Sequence, residues 1–355
     1  MASNRKEWRE ACNNVRDMVR ENRKEKWKEY VESLDMSANP TQIWRIIHSL
    51  DGKYPAKCKN EVLTVNGVAL IDDKDKADAF AKTYKEFSRL PTRKSDRKLR
   101  RNVRKRMKAR PGAMEENEQD ITMEELNRVI NEAGRNKAAG EDDIPYELIK
   151  NLGVKARTMI LYIFNKCWNG ERIPGKWTTA IIRTLLKAGK DPKETSSYRP
   201  ISLTSCLGKL LEKIISDRLT FILEKRKLLS DSQAGFRQNR CTTDQILKMT
   251  QLATDQIQQR CPESATAIAF FDYAKAYDKV WRAGLLHKMQ EMSLPPKFIR
   301  YTRNFLSNRK TTVEIDGTRS KQFILKEGLP QGSAISPLLF IIFINDIGVV
   351  CTRTR

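Results

Sequence analysis

Thr266-Ala267-Ile268-Ala269-Phe270-Phe271-Asp272-Tyr273-Ala274-Lys275-Ala276-Tyr277-Asp278-Lys279-Val280-Trp281 reads as an apolar strand that ends on a carboxylate and passes into a helix. Mg2+ takes one or two carboxylates together with substrate phosphates, so a carboxylate at a strand end beside a helix start is well placed to hold it. Asp272 also suits a plain strand terminator. Asp278 reads better as a carboxylate at the helix N-terminus, where the dipole favours negative charge.

Upstream, Trp177 to Lys187 and Tyr198 to Leu203 read as two strands with a tight turn at Ala188-Gly189-Lys190-Asp191-Pro192. Lys187 on one arm and Arg199 on the other would clamp a triphosphate, since Arg binds phosphate oxygens bidentately. Two cations on a hairpin are, by themselves, common surface chemistry. Downstream, Gly328-Leu329-Pro330-Gln331-Gly332-Ser333 is a loop punctuated by Gly and Pro, which lets backbone approach a ligand closely. An apolar helix from Leu338 to Ile344 follows to anchor it, and Thr311 to Leu325 reads as a hairpin turning at Asp316-Gly317.

The chain has 355 residues, enough for two domains or one large domain with an extension. Hydrophobic residues, 39 % of the total, suffice for a sizeable core. The apolar run Leu338 to Ile344 is seven residues long, well under the ~20 of a membrane-spanning helix. Met1 to Lys6 turns charged at once and holds no apolar signal segment. These features argue against transmembrane and secreted classes. The formal net charge of +23 points to a polyanionic partner, above all nucleic acid, against the plainer reading of a merely basic soluble protein. Seven cysteines without a C-x-x-C pair suit reduced thiols in an intracellular protein rather than a zinc module. With only His48 and His287, a His-based metal site or a Ser-His-Asp triad lacks its residues.

The first sixty residues read as helix, with apolar stripes at Trp8, Ala11, Val15 and Val19 and at Trp27, Tyr30 and Val31, then a short helix around Ile43 to Ile47. A small hairpin with an Asn66-Gly67 turn and a helix from Asp75 to Phe87 follow. From Arg93 to Arg110, eleven of eighteen residues are Lys or Arg against one acid. Such a segment is expected to be extended, or helical only when neutralised. It serves either as a solvated linker or as a sequence-blind phosphate contact through Arg97, Lys98, Arg100, Arg101, Arg104, Lys105 and Arg106. Pro111-Gly112 closes it. Thr122-Met123-Glu124-Glu125 is a capping box, and Leu148 to Trp168 holds more helix. From Trp177 onward the texture is α+β.

Taken in order, YRPISL at 198–203, FDYAKAYD at 271–278 and GLPQGSAISPLLF at 328–340 resemble a LINE-type (non-LTR) retrotransposon reverse transcriptase. Lys137-Ala138-Ala139-Gly140-Glu141-Asp142-Asp143-Ile144-Pro145 is similar to the family's opening motif, although Asp143 stands where the family more often has Gly. Ser232 to Arg237 and Cys241 to Asp244 match its fingers region. The resemblance implies right-hand polymerase fingers and a partial palm over 176–355, an N-terminal fingers extension over 111–175, a mostly helical basic connector over 1–110, and no thumb. It further implies two Mg2+ ions with Asp272 as the first metal carboxylate and the Tyr273 backbone carbonyl as a second ligand. Lys187 and Arg199 would grip the dNTP, Tyr277 would gate the sugar, and Gln331 and Gly332 would lie against nucleotide and template. The implied partners are an RNA template, a DNA primer and dNTP, with no membrane and a nuclear location; oligomeric state is open.

The family's second carboxylate pair, [Tyr/Phe]-x-Asp-Asp, is not among the residues after Gln331; the Asp-Asp dipeptides are Asp72-Asp73 and Asp142-Asp143. The sequence is therefore expected to be a fragment without useful polymerase activity by itself. The apolar helix at 338–344 is expected to be partly exposed. The alternative is a catalytically dead relic that still binds nucleic acid. A group II intron maturase or viral RNA polymerase fits YRPISL and Tyr277 less well.

Overall fold

A computed structural model describes residues 2–32, 62–65, 67–91, 94–108, 118–258 and 267–348. Two units divide the chain, Met1–Glu61 and Val62–Arg355. The first holds helix α1 (Ala2–Glu32), a charged helix with a Lys26–Glu29 pair at 2.8 Å and with Val15, Met18 and Val19 exposed. The side chains of Trp8, Ala11, Trp27, Tyr30 and Val31, and the helix expected at Ile43 to Ile47, lie outside what is described.

The second unit runs β1 (Leu63–Val65), β2 (Val68–Leu70), α2 (Asp73–Phe87), α3 (Lys94–Lys108), α4 (Met123–Glu132), α5 (Tyr146–Lys150), α6 (Val154–Trp168), β3 (Thr179–Leu186), β4 (Tyr198–Leu203), α7 (Cys206–Lys225), α8 (Thr242–Gln258), α9 (Arg282–Glu291), α10 (Pro296–Leu306), β5 (Lys310–Ile315), β6 (Thr318–Arg319), β7 (Phe323–Ile324) and α11 (Ser336–Ile344). β1 and β2 pair across the expected turn, where Gly67 takes φ +80°. The Asp72 side chain caps α2 by accepting from the Lys74 and Asp75 amides. Both halves of the Thr122–Glu125 capping box are made at α4.

The main sheet has the order β4-β3-β5-β6, with β7 also on β5. β3 and β5 run parallel; the other pairs are antiparallel. Side chains alternate across a sheet, so Ile182 and its partner Val313 share a face, and Phe80, Ala81 and Tyr84 of α2 cover it. The larger core lies among α4, α6, α7, α9, α10 and α11, around Phe164, Trp168, Leu211, Ile214, Phe298 and Leu339. Arg218 of α7 joins it to α4, donating to both Glu125 carboxylate oxygens at 2.7 Å and to the Gln119 and Asp120 carbonyls.

One expectation changes, and one open choice is decided. The helix at Leu338 to Ile344 is not left exposed: Leu338 through Ile342 are buried in the core, and Lys288 of α9 donates to the Phe343 carbonyl and pairs with Asp346 at 2.5 Å. Of the two states open to the basic segment, extended or helical when neutralised, it takes the helical one, α3. Val103 is buried and Leu99 packs beside it, four residues apart on one helix face. Gln290 donates to the Val103 carbonyl at 3.3 Å, and Arg100 pairs with the buried Glu327 at 2.6 Å. That anchorage leaves Arg97, Lys98, Arg101, Arg104, Lys105 and Arg106 exposed on the remaining faces.

The loop before α5 docks on the start of α7. Asp142 accepts from the Ser205 hydroxyl at 2.5 Å, and a Cβ on Gly140 would lie 2.4 Å from Ser205 N. Asp143, in place of the more usual Gly, takes φ +55°, a left-handed conformation that an L side chain adopts only at a cost. Asp143→Gly is therefore expected to gain about 0.5 kcal/mol after glycine's extra chain entropy is subtracted. Gly140→Ala is expected to lose about 2 kcal/mol or more, because backbone must move. Denaturant unfolding of both variants checks this, and an Asp143→Gly variant less stable than its parent would contradict it.

Candidate active site

β3 and β4 form the expected ribbon. Leu185 faces Arg199, and beyond Leu186 the Lys187 amide still donates to the Ser197 carbonyl at 2.9 Å. Alternation therefore puts Arg183, Leu185, Lys187 and Arg199 on the face opposite α2. Lys187 Nζ donates to the Ser196 carbonyl at 2.9 Å, and Arg199 is exposed and unpaired among the described residues.

The Gly-Pro loop is seated by three elements. On the ribbon side, the Ser202 amide donates to the Gln331 carbonyl at 2.7 Å. Gly332 takes φ +117°, and a Cβ there would meet the Ser202 carbonyl oxygen at 2.7 Å, so the close approach needs glycine. On the turn side, the Gly328 and Leu329 amides donate at 2.8 Å to the Val280 and Tyr277 carbonyls. From α7, Glu212 accepts from the Ser333 hydroxyl at 2.5 Å and the Ala334 amide at 2.8 Å. Burial pushes the Glu212 carboxyl up, opposed by the Ser333 bond and the buried Arg309 guanidinium. Arg282, just past the turn, donates to the Gly328, Leu306 and Leu325 carbonyls. Burial lowers its guanidinium to about 10, with Glu327 opposing the shift.

Residues 267–273 depart from the reading as a strand. They are irregular, turns follow at 274–279, and no helix begins before Arg282, so Asp278 sits in a turn rather than at a helix N-terminus. A strand needs a neighbour for its amides and carbonyls, and none of the described strands pairs with this segment. Phe270 and Phe271 are 82 % and 92 % exposed, and Asp272 is exposed beside them. Order returns at the aromatics: Tyr273 meets Phe340 edge-on at 6.4 Å, and Tyr277 stacks on the same ring at 5.2 Å. Lys275 takes φ +58° and sets its ammonium over Phe87 of α2. Burial raises the Asp278 carboxyl, while Lys275 and Lys187 act to lower it.

Tyr277, Gln331 and Gly332 thus come together, lining one cavity of about 570 Å3 with Lys209, Lys213 and Phe236. Lys187 and Arg199 lie on the ribbon to which the loop is bonded. Asp272 and Tyr273 are exposed and do not line that cavity. The α3 cations do not line that cavity; Arg100 joins α3 to Glu327 at the loop's base. Glu212, Arg282 and Arg309 escaped the sequence reading. A charge in the apolar run Leu210, Leu211, Ile214 and Ile215 was the available signal for Glu212.

Residues 190–352 match the reverse transcriptase (RNA-dependent DNA polymerase) family. A probable RNA-directed DNA polymerase from transposon BS of Drosophila melanogaster is 28 % identical over 352 residues, 96 % of this chain and 37 % of that protein. The RNA-directed DNA polymerase from mobile element jockey of the same species is 33 % identical over 227 residues, 64 % of this chain and 24 % of that protein. The Pol polyprotein from type-1 retrotransposable element R2 of Popillia japonica is 24 % identical over 228 residues, 64 % of this chain and 30 % of that protein. The chain spans 24–37 % of the length of these relatives. It carries a reverse transcriptase domain of the non-LTR retroelement kind. None of the described helices is long and apolar enough to cross a membrane.

Mg2+ accepts a single protein carboxylate when water and substrate phosphates complete its shell. Asp272 is exposed in an irregular segment, and the described residues contain no group of three or more potential ligating side chains.

Two substitutions test how the loop is held. Gly332→Ala places a Cβ against the Ser202 carbonyl and is expected to cost about 2–4 kcal/mol. Glu212→Leu leaves the Ser333 hydroxyl and Ala334 amide without their acceptor and Arg309 without its counter-charge, an expected loss of about 3–5 kcal/mol. Losses below about 1 kcal/mol in urea unfolding would show that the loop is seated by other contacts.

Proposed function

We propose that this domain performs RNA-templated addition of deoxynucleotides to a DNA primer, with residues 176–355 as fingers and palm, 111–175 as a fingers extension and 1–110 as a basic connector. The observation that carries the reading is the Ser202–Gln331 backbone bond, which seats the Gly-Pro loop against the cationic ribbon. Lys187 and Arg199 hold the triphosphate, Arg199 as a bidentate donor to its oxygens. The Tyr277 ring, fixed flat on Phe340, excludes a 2′-hydroxyl beneath the sugar. Gln331 and Gly332 present backbone to nucleotide and template, where a larger residue at 332 would not fit. Asp272 and the Tyr273 carbonyl would hold Mg2+, two ions being the family's complement. When bound, the metal supplies Lewis-acid stabilisation of charge on the phosphoryl oxygens. The exposed cations of α3, Arg97 to Arg106, track backbone phosphates without reading sequence. The family resemblance adds a nuclear location to this reading.

The exposed, irregular setting of Asp272 supports a second reading, a nucleic-acid-binding relic. Two measurements separate them. Binding of a fluorescent dNTP to the chain is expected to weaken about tenfold for each of Lys187→Ala and Arg199→Ala, the size of one charge-assisted contact. In primer extension on primed RNA with Mg2+, by a chain extended through a [Tyr/Phe]-x-Asp-Asp motif, Asp272→Ala is expected to lower the rate at least about a thousandfold, equivalent to about 4 kcal/mol of lost stabilisation. Extension that survives Asp272→Ala refutes that residue's role. RNA binding without dNTP binding or extension favours the relic.

A further inference from the structure

A second cavity, of about 510 Å3, opens at the far end of β3 from Lys187, where the loop between α6 and β3 meets the end of α10 and the start of β5. Arg172, Lys176, Arg303 and Lys310 line it, and all four are exposed. None of the four makes an ion pair among the described residues. The one carboxylate in the lining, Glu141, is already paired with Arg319 at 3.0 Å. The cavity is therefore cationic and otherwise polar, with Asn308 and Gln322 among the remaining lining groups. Such a lining suits phosphate oxygens and offers little to an apolar ligand.

Register connects this cavity to the ribbon. Thr179 pairs with Lys310, so both share the sheet face that carries Arg183 and Lys187. At about 3.3 Å per residue, the eight steps from Thr179 to Lys187 cover about 26 Å. Arg183 lies midway, half exposed, and pairs with Glu314 at 2.5 Å. With Arg183 neutralised by Glu314, the four cations of the cavity form a cluster of their own, set apart along the strand from Lys187.

We propose that this cavity binds the phosphodiester backbone of a single-stranded nucleic acid, at a place separate from both α3 and the Lys187–Arg199 ribbon. The proposal takes RNA as the strand from the reverse-transcription reading; the binding itself rests on the cavity alone.

The test is fluorescence anisotropy of a labelled single-stranded RNA 20-mer over a range of salt concentrations. The variant Arg172→Gln/Lys176→Gln/Arg303→Gln/Lys310→Gln is expected to bind at least tenfold more weakly at 0.1 M salt. The slope of log K against log salt is expected to flatten by about 3 if all four cations contact phosphates, since each single-strand phosphate contact contributes about 0.7. The loop pair Arg172→Glu/Lys176→Glu, at two exposed positions, is expected to show the same trend with an unchanged unfolding midpoint. Affinity for a fluorescent dNTP, read by Lys187 and Arg199, is expected to stay the same in both variants, so RNA loss with dNTP binding intact supports this site even if polymerase activity is never seen. An unchanged slope overturns the proposal. So does tripolyphosphate displacing the RNA from the parent at equal phosphate concentration, which would mark a small-anion site.

Discussion

One backbone hydrogen bond, from Ser202 to the Gln331 carbonyl, joins the Gly-Pro loop to the cationic ribbon. β4 ends the sheet order, so its outer edge has unpaired amides. The Gly-Pro loop answers one of them and, in doing so, is fixed beside the two cations of the ribbon. Its approach is so close that residue 332 has no room for a side chain. What would otherwise be an adhesive sheet edge becomes the wall of a site.

Around that bond the protein places charge where burial makes it expensive. Glu212, Arg309, Arg282 and Glu327 all lie under or beside the loop, within the core or at its margin. Buried ions of this kind add little net stability, yet removing one partner is costly. They therefore act on geometry: Glu212 fixes the loop's exit, and Arg282 fixes its base by gathering three carbonyls that no strand or helix satisfies. Arg100 extends the same network to α3, so the most basic helix and the Arg282 amide at the start of α9 share Glu327 as a common acceptor.

Local signals were legible in the sequence where a local rule governs the structure. The capping box at Thr122, the Asn66-Gly67 and Asp316-Gly317 turns and the ribbon each follow from residues close together in the chain. The loop's role followed from Gly and Pro alone. Long-range effects were not legible. Residues 267–271 have the composition of a strand, but a strand exists only with a neighbour, and periodicity says nothing about neighbours. α3 has the charge density of an extended segment, and two apolar residues with one acid 227 positions away make it a docked helix. The apolar run at 338–344 gave no hint of whether it would be covered; α9 covers it. Glu212 looked like one more charge on a helix, and only the packing shows that it faces inward.

The central claim is that the ribbon and the Gly-Pro loop form one nucleotide site, and photoaffinity labelling with a 4-thio-dTTP followed by peptide mapping tests it most directly. The account predicts label on peptides from both 183–199 and 327–334, displaced from both by the same concentration of unlabelled dNTP. Label confined to one of these segments, or resistant to competition, would contradict it.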